Sequence, residues 1–78
     1  MNYLTATKNK KYLMYISQNY SYAILRPLQA EILAQGGEVK WFLEGDEVDP
    51  KFLKPTEHRL ESVKSIKDWE PDAVFIPG

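Results

Sequence analysis

Five consecutive residues, Ser17-Gln18-Asn19-Tyr20-Ser21, can all donate and accept hydrogen bonds, and they directly follow an apolar run from Tyr12 to Ile16. A turn that aims its backbone N–H groups outward can hold an anionic group, and Arg26, a few residues on, has the planar fork for bidentate recognition of such a group. The same residue types are also ordinary turn and cap formers, so the composition of the turn allows a ligand-binding reading and a purely structural one. Tyr20 and Tyr22 lie in this turn rather than in a predicted regular element, which makes them the aromatics expected to touch a ligand. Trp41, Phe42, Trp69 and Phe75 fall on predicted strands or at a helix end and are expected to pack in the core.

Other constellations are absent or incomplete. A dinucleotide fold needs G-x-G-x-x-G after its first strand so that backbone can approach a pyrophosphate, and no glycine occurs between Lys11 and Gln35. Without those glycines Glu44, at the end of the second predicted strand, reads as a loop charge. Gly36-Gly37 precedes a strand, so it terminates a helix rather than cradling phosphate. Glu44, Asp46, Glu47 and Asp49 offer oxygen ligands to a hard cation but lack the 12-residue calcium-loop pattern and its terminal glutamate; they read as a solvated loop. His58, the one histidine, sits between Glu57 and Arg59 with no paired Ser or Cys nucleophile at a recognisable spacing. The sequence thus predicts no catalytic residue, no metal site and no cofactor.

The elements that must position the polar turn follow from periodicity. Tyr12 to Ile16 is too short and continuous for an amphipathic helix and suits a strand covered on both faces, a central parallel strand over Lys11 to Ser17. Ile24, Leu25, Leu28, Ile32 and Leu33 then recur at helical spacing. Pro27 removes a helix bond and clashes with the turn before it, so the regular helix is expected to begin near Arg26, after a looser turn from Tyr22 to Leu25, and to end at Gly36-Gly37. Glu38 to Leu43 alternates and predicts a strand near a sheet edge. A long loop covers Gly45 to Pro55, with a very short strand at Arg59 to Glu61. Ser62 is a predicted N-cap for a helix carrying Val63, Ile66 and Trp69, which Pro71 stops. Ala73 to Ile76 is a second uninterrupted apolar run, predicted to lie inside the sheet and to stop at Pro77-Gly78. A sequence that stops right after a buried strand predicts a segment of a longer protein. Strands alternating with helices predict an α/β, Rossmann-like three-layer domain with a mainly parallel sheet over residues 11–78, preceded by a polar lead-in over residues 1–10, with ligands at the carboxyl ends of the strands.

Composition sets outer limits. The 78 residues are 44% hydrophobic and 27% charged, enough for one small domain and too few for two. Ten basic against eleven acidic residues give a net charge of −1, which argues against a nucleic-acid binder relying on a basic stripe. No cysteine is present, so no disulfide or thiolate metal cage supports the core. No apolar run approaches the roughly 20 residues that span a bilayer, and the N-terminal stretch lacks a secretory apolar core; the expected compartment is the cytoplasm.

The stretch Tyr15-Ile16-Ser17-Gln18-Asn19-Tyr20-Ser21, continuing through Ala23-Ile24-Leu25-Arg26-Pro27-Leu28, resembles the opening of the CDP-glycerol glycerophosphotransferase-like family. Val39-Lys40-Trp41-Phe42, Phe52-Leu53-Lys54-Pro55 and Pro71-Asp72-Ala73-Val74-Phe75-Ile76-Pro77-Gly78 fit the same N-terminal region. The resemblance implies a GT-B transferase of two Rossmann-like halves, of which this chain would be part of the first, the missing C-terminal domain being its partner. It implies transfer of glycerol phosphate from CDP-glycerol to a cell-wall or surface polymer acceptor such as teichoic acid, by a parent enzyme held peripherally at the inner face of the membrane. The donor would sit on the other half. Ser17, Gln18, Asn19, Tyr20, Ser21 and Arg26 would bind acceptor, and the segment would be inactive alone. The competing expectations are the N-terminal domain of another GT-B glycosyltransferase and a non-catalytic protein-interaction module.

Overall fold

The computed structural model describes residues 9–77; most of the expected lead-in, and Gly78, lie outside the described residues. Four strands, β1 (Lys11–Ile16), β2 (Glu38–Leu43), β3 (His58–Leu60) and β4 (Ala73–Phe75), alternate with two helices, α1 (Tyr20–Ala34) and α2 (Val63–Trp69), and a 3-10 turn at Pro50–Phe52. All pairings are parallel and the strand order is β3-β2-β1-β4. This is the Rossmann-like α/β arrangement that the alternation of periods predicts.

Strand register sorts side chains onto two faces, because partners in a ladder share a face and neighbours along a strand alternate. Tyr12, Met14 and Ile16 align with Val39, Trp41 and Leu43, and this face packs under α1 through Tyr22, Leu25 and Ile32, all buried. The opposite face, Leu13 and Tyr15 with Glu38, Lys40 and Phe42, receives α2. There the Trp69 indole N–H donates to Glu38 at 3.3 Å, the Lys40 ammonium lies 5.0 Å from the Trp69 ring centroid, and Lys11 Nζ donates to the Trp69 carbonyl at 3.1 Å. One helix on each face makes the three layers.

Three expectations change. The helix does not wait for Arg26: α1 begins at Tyr20 and runs through Pro27. Pro27 withholds the N–H that would meet the Ala23 carbonyl, but both residues are on the exposed side of α1, where water can take that role, while Tyr22 and Leu25 hold the first turns against the sheet. Secondly, β2 is interior, flanked by β1 and β3. Its alternation reflects unequal cover by a fifteen-residue and a seven-residue helix, not an edge. Thirdly, β4 is an edge strand, paired to β1 alone among the described residues. The short strand near residue 60 exists and is β3, shifted by one residue from Arg59–Glu61.

The ends of the helices follow their caps. Gly36 takes φ +86°, and behind it Gly36 N donates to the Leu33 carbonyl at 3.1 Å and Gly37 N to that of Ile32 at 2.9 Å, a Schellman closure. At α2 the Ser62 hydroxyl accepts from Ser65 N at 3.0 Å. α2 has no fully buried residue, so this cap and the Trp69 contacts hold it. Ser62→Ala is expected to lower stability by about 1 kcal/mol, read as a drop in urea midpoint with an unchanged slope. Among the described residues no helix is long and apolar enough to cross a membrane.

Candidate functional site

The carboxyl ends of parallel strands leave backbone groups and loops at one rim of the sheet, and ligands of such folds bind there, where the strand order reverses. Here the reversal falls between β1, whose chain proceeds to β2 and β3 on one side, and β4 on the other. The turn Ser17 to Asn19 leaves β1 at this rim. An open cleft of about 270 Å³ lies at this rim beside the reversal rather than at it, at the ends of β1 and β2, lined by Ser17, Gln18, Glu44, Gly45, Asp46 and Glu47.

The structure separates the six sequence-predicted residues. Ser17 is exposed in the cleft, and Gln18 lines it while donating through Nε2 to Glu47. Asn19 Oδ1 accepts from Asp49 N at 2.6 Å, so it ties down the acidic loop instead of capping α1. Ser21 is buried, and Ser21 N and Tyr22 N donate to the carbonyls of Gln18 and Asn19. Those two N–H groups therefore do not face outward for an anion. Tyr20 is 54% exposed and borders a second groove, of about 300 Å³, with Asn19, Tyr22, Ala23, Arg26 and Phe52.

Arg26 faces inward. Its Nε and Nη2 donate to the Glu57 carboxylate at 3.2 and 3.0 Å, Nη2 also donates to the Phe52 carbonyl, and the guanidinium stacks 5.0 Å over the Tyr22 ring. An anion at the turn would meet an Arg26 already paired with a carboxylate whose side chain is only 3% exposed. Glu57 accepts further bonds from Gln29 Nε2 and Lys54 N, both at 2.7 Å, and Gln29 Oε1 in turn accepts from the Trp41 indole at 2.7 Å. Burial by itself pushes the Glu57 carboxyl up. The hydrogen bonds from Arg26, the Lys54 backbone and Gln29, with the charge of Arg26, outweigh it and hold the group below its ordinary value.

Tyr22 corrects a further expectation. It is buried rather than offered to a ligand, with its ring 5.6 Å from that of Trp41 and its hydroxyl donating to the Asp49 carbonyl at 3.0 Å. Burial pushes its phenol up, against the lowering charges of Arg26 and Arg59. Together with Gln18 and Asn19 it fastens the 46–49 loop, which also sinks Val48 into the core.

Of the acidic residues read as a solvated loop, Glu44, Asp46 and Glu47 are exposed and form one wall of the cleft. Glu44 is more than a loop charge: its Oε2 accepts from the Tyr15 hydroxyl at 2.6 Å, and that bond, followed by burial, pushes the Tyr15 phenol up. Its position at the end of β2 was the available signal. Among the described residues no three His, Asp or Glu side chains converge to hold a metal. Ser17, Gln18 and three carboxylate residues give this cleft hydrogen-bonding groups and a negatively charged wall. Comparison with known proteins returned no matching family model, no matching curated protein and no matching solved structure.

Proposed function

We propose that this chain is the acceptor-side Rossmann-like segment of a GT-B transferase of the CDP-glycerol glycerophosphotransferase type, and that its rim cleft receives the terminal hydroxyls of a polyol-phosphate acceptor. The observation that carries the reading is the cleft itself: Ser17 and Gln18 facing Glu44, Asp46 and Glu47 at the carboxyl ends of β1 and β2. Carboxylates accept hydrogen bonds from vicinal hydroxyls strongly, while their charge turns the acceptor's phosphates outward. The residues that resemble the family's opening also include this turn.

In such an enzyme the companion half holds CDP-glycerol. The acceptor hydroxyl attacks the β-phosphorus, its oxygen bonds to phosphorus as the bond to CMP breaks, and the hydroxyl proton passes to a general base on that half. Charge on the departing CMP is stabilised electrostatically. This chain contributes binding and orientation, which lowers the entropic part of the barrier, and no catalytic residue. Attachment of the whole enzyme to the inner membrane face would be peripheral.

Calorimetric titration with glycerol phosphate oligomers tests the reading. Ser17→Ala, an exposed position outside the core, is expected to weaken binding by about tenfold, the value of one lost hydrogen bond to a charged or polar partner. Equal binding by wild type and variant, or no binding by either, contradicts the proposal.

A further inference from the structure

The second groove, of about 300 Å³, runs between the first turns of α1 and the 3-10 turn at Pro50–Phe52. Bonds between these two elements fix its shape. Tyr22 Oη donates to the Asp49 carbonyl at 3.0 Å, Asp49 N donates to Asn19 Oδ1 at 2.6 Å, and Arg26 Nη2 donates to the Phe52 carbonyl. Two large aromatic side chains line this groove and are left half open to water: Tyr20 and Phe52 are each 54% exposed. Single exposed aromatics are ordinary on a protein surface, but two on one preformed groove beside a few polar groups have the composition of a small-ligand site.

The polar atoms left over narrow the class of ligand. Arg26 Nε and Nη2 are already paired with Glu57 and the Phe52 carbonyl, so the guanidinium charge is matched. Among the described residues Arg26 Nη1 and Asn19 Nδ2 make no hydrogen bond, while Asn19 Oδ1 is taken by Asp49 N. The groove therefore offers donors, the Tyr20 hydroxyl and aromatic rings, with no unmatched charge. A nucleobase brings amino or ring N–H groups that need acceptors. A sugar hydroxyl accepts from such donors and turns its own hydrogen to water, and the C–H face of a sugar ring lies well against the electron-rich face of an aromatic ring. We propose that this groove binds an uncharged sugar ring, with Tyr20 and Phe52 against the ring face and Arg26 Nη1 and Asn19 Nδ2 donating to its hydroxyl oxygens. The site is separate from the rim cleft and does not depend on what the cleft receives.

Amide NMR titration with three uncharged probes, maltotetraose, cellotetraose and tetra-N-acetylchitotetraose, and separately with CMP, reads the result by residue. At least one tetrasaccharide is expected to give saturable shifts at Tyr20, Ala23 and Phe52, with a dissociation constant of about 1 to 10 mM, and none at Asp46 and Glu47. Tyr20→Ala and Phe52→Ala, at exposed positions, are each expected to weaken that binding about two- to tenfold, the worth of one aromatic contact. Ile24→Ala, exposed on α1 but outside the groove, is expected to leave it unchanged. Circular dichroism of the variants separates lost binding from lost folding. No saturable shift with any tetrasaccharide, unaltered affinity in both aromatic variants, or shifts at these residues with CMP alone overturns the proposal.

Discussion

Glu57→Ala is expected to destabilise the chain by about 2 to 3 kcal/mol, the scale for removing hydrogen bonds to a charged, partly buried group. The loss exceeds that of an ordinary surface bridge because the carboxylate organises four donors: Arg26 Nε and Nη2, Gln29 Nε2 and Lys54 N. Without it the partly buried guanidinium keeps its desolvation cost and loses its counter-charge, and the segment from Phe52 to Glu57 loses its hold on α1. Against a total stability of about 4 to 12 kcal/mol for a domain of this length, the variant should show a much reduced urea midpoint. The pH dependence has a fixed sign. The Glu57 carboxyl is held below its unfolded value, so the unfolded chain binds more protons between the two values; stability from this group is present above the ordinary carboxylate range and drains away as pH falls through the folded value. Glu57→Gln is expected to flatten that acid limb of the stability curve, and an acid limb identical to wild type would contradict the assignment.

Trp41→Ala has the largest expected cost, about 3 to 5 kcal/mol, the range for large aromatic truncations in a core. Trp41 is fully buried, lies at the centre of the α1-covered face against Tyr22, and donates to Gln29. Truncation leaves a cavity under the helix and a Gln29 oxygen without its donor, and through Gln29 it reaches Glu57. The variant should show a urea midpoint lowered at least as far as that of Glu57→Ala by circular dichroism. Trp41→Phe refills most of the volume and isolates the hydrogen bond, so it should cost about 1 to 3 kcal/mol. Trp69, the other tryptophan, stays as the fluorescence probe in both. A Trp41→Ala protein as stable as wild type would mean the core is centred elsewhere.

The elements were legible in the sequence wherever periodicity and punctuation agreed. Tyr12 to Ile16 could only be a well-covered strand, Gly36-Gly37 could only end a helix, and Ser62 had the side chain a cap needs. What was not legible depended on pairing partners. An apolar run such as Ala73 to Ile76 looks the same at the centre of a sheet and at an edge, and alternation in β2 looks the same whether one face meets solvent or meets a short helix. Pro27 misled because the local penalty is real while its remedy, exposure of the Ala23 carbonyl to water, is a property of the folded helix. The site was half legible. Ser17 and Gln18 could be placed at the rim from the strand before them, but Tyr22, Ser21 and Arg26 turn inward for reasons carried by the 46–57 segment. Val48, one apolar residue among acids, was the only local sign that this loop is tied down, and the Glu57 network that claims Arg26 joins residues 31 positions apart.

The claim that most needs testing is that the rim of β1 and β2 receives an acceptor's hydroxyl end. A two-dimensional amide NMR titration of the 78-residue chain with glycerol phosphate oligomers, and separately with CDP-glycerol, tests it residue by residue. The account predicts saturable shifts at Ser17, Gln18 and Glu44 to Glu47 with the oligomer, and none there with CDP-glycerol. Shifts at these residues with CDP-glycerol alone, or no shifts with either, would contradict it.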